Sequence, residues 1–295
     1  MKILNFGSVN IDHVYAVDHF VRPGETLAGT AYAQHPGGKG FNQSVALARA
    51  GAAASHAGRI GRDGLWLKDY LGQCGADTAY LAVGDGPTGH AIIQVTPQGE
   101  NAIVLFGGAN RQVTRADAAA VLAHFGRSDY LLLQNEISAT AEIMALAAEG
   151  GLTVVFNPAP MHPEIMGYPL DKVSLFILNE VEGADLTGET APDLILRRLR
   201  ERYPQAAAVL TLGAEGARYA DARETAAAPA LRVKAVDTTA AGDTFIGYFL
   251  AERMAGHAPR AALQTACKAA ALCVLKPGAA DSIPTRAEVT RWQPA

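Results

Sequence analysis

Apolar positions fall into short blocks along this 295-residue chain. Ile3 to Gly7 is a compact apolar run that predicts a buried strand. Val9 to Thr30 breaks its apolar residues with Asp, His, Pro and Gly and shows no helical period, which predicts extended structure outside the main core. From Gly38 onward the pattern changes: Val45, Leu47, Ala48 and small neighbours predict a helix, which Gly51 can close in a left-handed cap. A strand over Ala53 to Gly58 and a helix over Gly64 to Leu71 follow. Thr88 to Val95 and Asn101 to Phe106 are strand-like runs joined by Thr96-Pro97-Gln98-Gly99-Glu100, which predicts a β-hairpin. With the segment before Pro36, that hairpin can form a separate small sheet.

After Asn110 the rhythm becomes helix, strand, helix, strand, over Arg115 to Phe125, Tyr130 to Gln134, Ala139 to Glu149 and Leu152 to Phe156. It continues with a strand at Leu175 to Leu178, a helix at Pro192 to Tyr203 and a strand at Ala208 to Leu212. Two Ala-rich helices close the chain, Thr244 to Ala255 and Pro259 to Leu275. Such alternation predicts a parallel sheet covered by helices. No linker divides the chain, so one α/β domain over residues 1–295 with a small β excursion is expected.

Composition narrows the function classes. With 49% hydrophobic and 18% charged residues the chain has ample material for a large core. Its 25 basic and 29 acidic side chains give a net charge of −4, so no global positive field exists to hold nucleic acid or an anionic membrane. Cys74, Cys267 and Cys273 are odd in number and lack zinc or redox spacing, which fits reduced thiols in a cytosol. The opening Met-Lys-Ile-Leu-Asn-Phe-Gly is too short an apolar run for a signal peptide or spanning helix. A soluble cytoplasmic protein is expected.

Two glycine patterns are decoys. Gly84-Asp85-Gly86-Pro87-Thr88-Gly89 has the spacing of a dinucleotide fingerprint, but Pro87 and a β-type run follow where a helix is required. Gly37-Gly38-Lys39-Gly40 lacks the upstream spacing and the Ser or Thr of a Walker A loop.

The most informative segment is Val236-Asp237-Thr238-Thr239-Ala240-Ala241-Gly242-Asp243-Thr244-Phe245. Small residues run directly into an amphipathic helix, so unpaired N–H groups near Ala241 to Asp243 would point outward at a positive helix terminus and attract phosphate or a developing oxyanion. Asp243 in the first turn would be placed to accept a proton from a hydroxyl being phosphorylated. It could equally be a plain helix cap beside a tight turn, and the chemistry alone leaves both readings open. Pro36 to Gln43 also puts glycines before a helix, with Lys39 and Asn42 near its start as polar groups for a small ligand or as ordinary solvated residues. Asn10 and Asp12, two apart on an extended segment, project to one side and could grip vicinal hydroxyls, or serve as turn residues.

Several motifs in order carry a resemblance: Ser8-Val9-Asn10-Ile11-Asp12, Pro23-Gly24-Glu25-Thr26, Gly37-Gly38-Lys39-Gly40-Phe41-Asn42, Gly108-Ala109-Asn110, Asn157-Pro158-Ala159-Pro160, Asn179-Glu180-Val181-Glu182, Thr211-Leu212-Gly213-Ala214-Glu215-Gly216 and Val236 to Phe245. From Gly7 to about Pro284 the chain resembles the ribokinase family of sugar kinases. The resemblance implies a three-layer α/β/α domain with a mostly parallel central sheet and a small β-sheet lid over the sugar. The lid would come from segments about 10–36 and 88–110, and the lids of two subunits would pair into a homodimer.

The implied reaction passes the γ-phosphate of ATP to the 5-hydroxyl of D-ribose, with Mg²⁺ and a monovalent cation, usually K⁺. Asp243 takes the role of base, and the N–H groups of Ala241, Gly242 and Asp243, beside Ala240, form the anion hole. Asn10, Asp12, Gly38, Lys39, Asn42 and Glu136 match the family's sugar contacts. Asn179 and Glu182 resemble its nucleotide and magnesium motif, and Thr211, Leu212, Gly213, Ala214, Glu215 and Gly216 resemble the loop passing the nucleotide. The cation site carries over to Asp237, Thr239, Cys273, Lys276, Gly278 and Ser282, mostly through carbonyls.

Two positions depart from the family pattern. Cys267 stands where relatives carry Asn or His near the adenine. His90 replaces a small apolar residue on a lid strand, where it could narrow the sugar pocket or turn to solvent or the lid interface. An inward His90 would favour another pentose, a ketohexose or a nucleoside as acceptor. A sugar- or nucleotide-binding protein without catalysis is the reading from another class, and Asp243 beside Gly242 argues against it.

Overall fold

Short apolar runs separated by helices assemble into two sheets in the computed structural model, which describes residues 1–293. In chain order the first half contributes β1 (Ile3–Phe6), β2 (Asn10–Ala16), β3 (Ala31–Gly37), α1 (Lys39–Arg49), β4 (Ala54–Gly61), α2 (Leu65–Gln73), β5 (Leu81–Gly84), β6 (Gly89–Val95) and β7 (Asn101–Phe106). The middle adds α3 (Arg115–Leu122), β8 (Tyr130–Leu133), α4 (Thr140–Glu149), β9 (Thr153–Phe156), β10 (Leu175–Asn179), α5 (Glu180–Thr187) and α6 (Pro192–Arg202). The remainder is β11 (Ala207–Thr211), β12 (Ala217–Ala220), β13 (Thr225–Ala228), α7 (Ala241–Met254), α8 (Pro259–Cys273) and α9 (Arg286–Arg291).

The main sheet has nine strands in the order β13-β12-β11-β10-β9-β8-β1-β4-β5, all running one way except β12, which pairs antiparallel with both β11 and β13. Alternate side chains feed opposite faces. Leu131 and Leu133 of β8 join Phe6, Phe156 and Phe176 under α3 to α6, whereas Leu132 joins Ile3, Val155 and Ile177 under α1, α7 and α8. Both faces are therefore covered, as buried parallel strands require, and the arrangement is three-layered.

Helix α7 lies against both α1 and α8, and the α1 contact is unusually close because Gly247 sits on Ala46, where any added side-chain carbon would clash. One turn earlier on each helix stand Asp243 and Gln43. The missing side chain at position 247 thus sets the separation across which those two meet.

A second sheet, β3-β2-β6-β7, stands apart from the first. β6 and β7 are the expected hairpin, closed by a turn in which the Gly99 N–H donates to Thr96 O at 2.9 Å. Register puts Asp12 beside His35 and Ala91 on one face, and His13, His90 and Phe106 on the other. On the edge strand β7, Ile103, Val104, Leu105 and Phe106 are all exposed.

The chain also departs from the hydrophobic pattern. Strands β5, β12 and β13 and helices α5 and α9 carry too few or too uniform apolar residues to be read from period alone. β4 runs on to Gly61, α3 stops at Leu122, and α7 begins three residues before the expected Thr244. Gly51 does adopt φ +86° just after α1, as the cap reading requires. Among the described residues no helix is long and apolar enough to cross a membrane.

Candidate active site

The site forms where parallel strands release the chain at their carboxyl ends, the usual location for ligands on such sheets. After β1 comes Ser8, after β8 come Gln134 and Glu136, after β9 Asn157, and Asn179 and Thr211 end β10 and β11. Of these, Asn157, Asn179 and Thr211 line a cleft of about 220 Å³ together with Lys39 at the amino end of α1, Glu182, and Thr238, Ala240, Gly242 and Asp243 at the amino end of α7, among others.

The amino end of α7 has the features of an anion site. Ala240 precedes it at φ +59°, a left-handed conformation that strains a residue bearing a Cβ and recurs at functional positions. The Ala241 N–H donates weakly to Thr238 O at 3.3 Å, so it is less free than the sequence suggests. The N–H groups of Gly242 and Asp243 have no acceptor among the described residues. A Cβ placed on Gly242 would meet nothing within 4 Å. Two unpaired donors therefore face open cleft at the positive end of a 14-residue helix.

Asp243 is buried, and each oxygen has an amide donor: Asn42 Nδ2 to Oδ2 at 3.1 Å and Gln43 Nε2 to Oδ1 at 2.9 Å. Asn42 Oδ1 is itself buried without a protein partner. Lys39 stands close by. Burial pushes its ammonium pKa down, but Asp243, Glu136 and Glu182 outweigh this and the net shift is upward, so it stays charged.

Helix α1 starts after Gly38 without a side-chain cap of its own. Glu136 supplies one from across the fold: its Oε2 accepts from the Lys39 N–H at 2.9 Å and from the Ser8 hydroxyl. No protein donor among the described residues reaches Oε1. On the small sheet Asn10 is fixed by Asn110 Nδ2 at 2.8 Å. Asp12 is pushed up to about 7, first by burial and then by the nearby Glu136 carboxylate. Asn10, Asp12, Gly38, Lys39, Asn42 and Glu136 thus gather between the small sheet and the start of α1. His90 does not join them, because it packs edge-on to His13 at 5.7 Å and against Phe106 at 5.1 Å on the opposite face of the sheet.

Asn179 and Glu182 form the capping box of α5, with the Glu182 N–H donating to Asn179 Oδ1 and the Asn179 N–H donating to Glu182 Oε2. Burial raises the Glu182 pKa, and the Asn179 N–H and Lys39 oppose this without cancelling it. Of residues 211–216, Thr211 lines the cleft and Leu212 is buried in the apolar core, so only its backbone could meet a ligand. Gly213, Ala214 and Glu215 form a turn that Gly216 ends at φ +105°. Cys267 is not among the cleft residues: it packs in the apolar layer under α7 and α8, where burial raises its thiol pKa to about 11. Its place on α8 makes it a core residue rather than a polar contact.

Behind the amino end of α7, oxygen atoms converge. Asp237 accepts from the Thr239 N–H at 2.9 Å, the Thr239 hydroxyl at 2.6 Å and the Gly278 N–H at 2.9 Å. Burial pushes the Asp237 pKa up, yet these bonds outweigh it and hold the carboxyl below its ordinary value. Cys273 Sγ lies 3.0 Å from Ser282 Oγ and 3.8 Å from Thr239 O, which ties the set together. Lys276 turns its ammonium to Glu288 at 2.9 Å, leaving only its backbone toward this cluster. Among the described residues no group of three or more His, Cys, Asp or Glu side chains could hold a metal ion.

Sequence reasoning missed the residues that hold the others in place: Ser8, Gln43, Asn110, Gln134 and, as a side chain, Asn157. Ser8, Gln43, Asn110 and Asn157 stood inside quoted segments, whereas nothing local marks Gln134.

Comparison with known proteins shows the family and the fold. Residues 1–286 match the pfkB family of carbohydrate kinases. The chain is 37% identical over 301 residues to a ribokinase of Haemophilus influenzae, covering 97% of this chain and 96% of that one. It superposes on a crystal structure of ribokinase from Cryptococcus neoformans in complex with ADP with a TM-score of 0.87 at 36% identity, covering 98% of each chain. An Arabidopsis thaliana ribokinase complexed with ribose and ATP gives 0.87 at 28% identity, covering 98% of this chain and 97% of that one.

Proposed function

The chain belongs to the pfkB family of carbohydrate kinases, and from that premise we propose that it is an ATP-dependent ribokinase, transferring the γ-phosphate of ATP to the 5-hydroxyl of D-ribose. The observation that carries this reading is the juxtaposition of Asp243 with the two unpaired N–H groups that begin α7. Relatives with near-complete coverage act on ribose, and two solved relatives hold ADP or ribose and ATP.

In this reading Asn10, Asp12, Asn42 and Glu136 hold the sugar hydroxyls between the small sheet and α1. Asp243 takes the 5-hydroxyl proton as that oxygen attacks the γ-phosphorus, and the bond to the β-phosphate oxygen breaks to release ADP. The N–H groups of Gly242 and Asp243 and the Lys39 ammonium stabilise charge on the transferring group. No covalent enzyme intermediate is needed. Thr211 and the turn at residues 213–216 border the nucleotide, and Cys267 acts only as packing behind it.

Mg²⁺ fits this cleft as an ion held mainly by phosphates and water, with Glu182 as the nearby carboxylate, and when bound it offsets phosphate charge. K⁺ fits the oxygen-rich cluster of Asp237, Thr239, Cys273, Gly278 and Ser282, joined by the Lys276 backbone, where a cation would steady the loop before α7. The four-stranded sheet serves as a lid that excludes water. Its exposed apolar edge at Ile103 to Phe106 is the kind of strand that folded proteins cover, and the lid of a second copy would cover it in a homodimer. A cytoplasmic site of action, where ATP is abundant, fits this reading.

With His90 turned away, the reason for preferring another acceptor falls. Incubation of the purified protein with ATP, Mg²⁺, K⁺ and D-ribose is expected to yield ribose 5-phosphate, read by phosphorus NMR. A panel in which a different pentose, a ketohexose or a nucleoside outpaces ribose, or in which ribose at millimolar concentration gives no product, would contradict the assignment.

A further inference from the structure

Asp243 touches one side chain to which neither the motifs nor the reaction scheme assigns a role. Gln43, on the first turns of α1, is fully buried, and its Nε2 donates to Asp243 Oδ1 at 2.9 Å and to Asn157 Oδ1 at 3.1 Å. Which end of a side-chain amide points where is normally ambiguous. Here two independent chains of bonds remove the ambiguity.

The first chain starts from a backbone carbonyl, which can only accept. Asn5 Nδ2 donates to Gly40 O at 2.7 Å, which makes Asn5 Oδ1 an acceptor. Gln134 must then offer its NH₂ group to Asn5 Oδ1, at 2.9 Å, and the same nitrogen donates to Gln43 Oε1 at 2.6 Å. With its oxygen so occupied, Gln43 has only its NH₂ to turn toward Asp243. The second chain starts from Ile177 O, which accepts from Asn157 Nδ2 at 3.0 Å and so leaves Asn157 Oδ1 in need of a donor. Both chains end on the same nitrogen of Gln43.

We propose that Gln43 is the positioning residue of the base: a relay of buried amides from Gly40 O through Asn5 and Gln134 fixes its NH₂ group, which locks the Asp243 carboxylate in the plane needed to receive the sugar proton. The inference rests on the reading of Asp243 as that base. Asn42 holds Oδ2, so Asp243 is gripped at both oxygens while it lines the cleft. An apolar side chain of equal length at 43 would leave Oδ1 free to rotate, and misplacement of a reacting group by about 1 Å costs on the order of 10²-fold in rate.

The test is a double-mutant cycle on the purified full chain, with kcat, KM and thermal unfolding measured for Gln43→Met, Asp243→Asn and the double variant. Gln43→Met is expected to lower kcat by about 10- to 100-fold with both KM values within about threefold of wild type. In the Asp243→Asn background the same change is expected to cost less than about twofold, because its target is gone. An equal loss in both backgrounds, or wild-type kcat in a folded Gln43→Met, would overturn the positioning role. Near-normal turnover of Asp243→Asn would instead overturn the base reading beneath it. Should Gln43→Met not unfold cooperatively, Gln134→Leu gives the same cycle one link further back, with a smaller kcat loss that again vanishes without Asp243. A loss that persists there would refute the relay.

Discussion

Gly242→Ala separates the stability of α7 from its chemistry, because the two should move in opposite directions. Gly242 lies in the first turn of the helix at an ordinary negative φ, and an added Cβ meets nothing within 4 Å. The fold therefore gains from the substitution: removing a glycine's freedom in the unfolded chain stabilises a helix by about 0.5–1 kcal/mol. For a chain of this size that corresponds to a rise in Tm of about 1–2 °C. The methyl group, however, projects into the cleft that Gly242 lines. A phosphate oxygen sits about 2.9 Å from a donor nitrogen, whereas carbon to oxygen contact begins at about 3.3 Å. The transferring group must then retreat from the N–H groups of residues 242 and 243, and loss of one such donor costs about 10²- to 10³-fold in kcat. Differential scanning fluorimetry and an ADP-release assay with saturating ribose read the two effects on one preparation. A variant that is more stable and still within threefold of wild-type kcat would refute phosphoryl transfer at this helix terminus.

Asp12 makes stability and ribose affinity pH-dependent. Its carboxyl titrates near 7 in the fold against an ordinary 3.8, so between those values the fold retains a proton that the unfolded chain has lost, and stability falls as pH rises from about 4 to about 7 before levelling. Asp12→Asn is expected to flatten that slope in thermal unfolding and to add about 1–2 kcal/mol at pH 8 after solvent screening. It should also weaken ribose binding at pH 8 and abolish any change in affinity across pH 7, as read by calorimetry; an unchanged affinity would place Asp12 outside the sugar site. Glu182→Gln retains the capping box, since Gln serves at that position, so Tm should hold within about 2 °C. Half-saturation for Mg²⁺ should rise roughly tenfold with the loss of one carboxylate. An unaltered Mg²⁺ titration would remove Glu182 from the nucleotide site.

Where apolar residues run together or repeat at helical spacing, the chain declared its elements, as at Tyr130 to Gln134 or Pro192 to Tyr203. Where it relies on tertiary cover it did not. Strands β12 and β13 read Ala-Arg-Tyr-Ala and Thr-Ala-Ala-Ala, whose mostly small residues give no strong apolar signal, and they are held by pairing, β12 with β11 and β13 with β12. Helix α5 lacks an apolar stripe, yet Asn179 and Glu182 three residues apart were a capping signal in plain view. The candidate site divides the same way. Asp243 and Gly242 were legible because a helix start advertises itself in small residues. The relay behind them joins Asn5, Gln43, Gln134 and Asn157, which meet only because the ends of β1, β8 and β9 converge on α1, and no local pattern encodes such a meeting. Cys267 shows the limit of a resemblance, which names a position near the adenine but not that the side chain there packs in the apolar layer.

The most direct measurement is a crystal structure of the protein with ribose, Mg²⁺ and a non-hydrolysable ATP analogue. The sugar 5-hydroxyl should lie within about 2.6–3.2 Å of an Asp243 oxygen, with the γ-phosphate within hydrogen-bond reach of the Gly242 and Asp243 N–H groups. A ribose bound with its 5-hydroxyl facing away from Asp243, or a nucleotide seated away from the start of α7, would contradict the account.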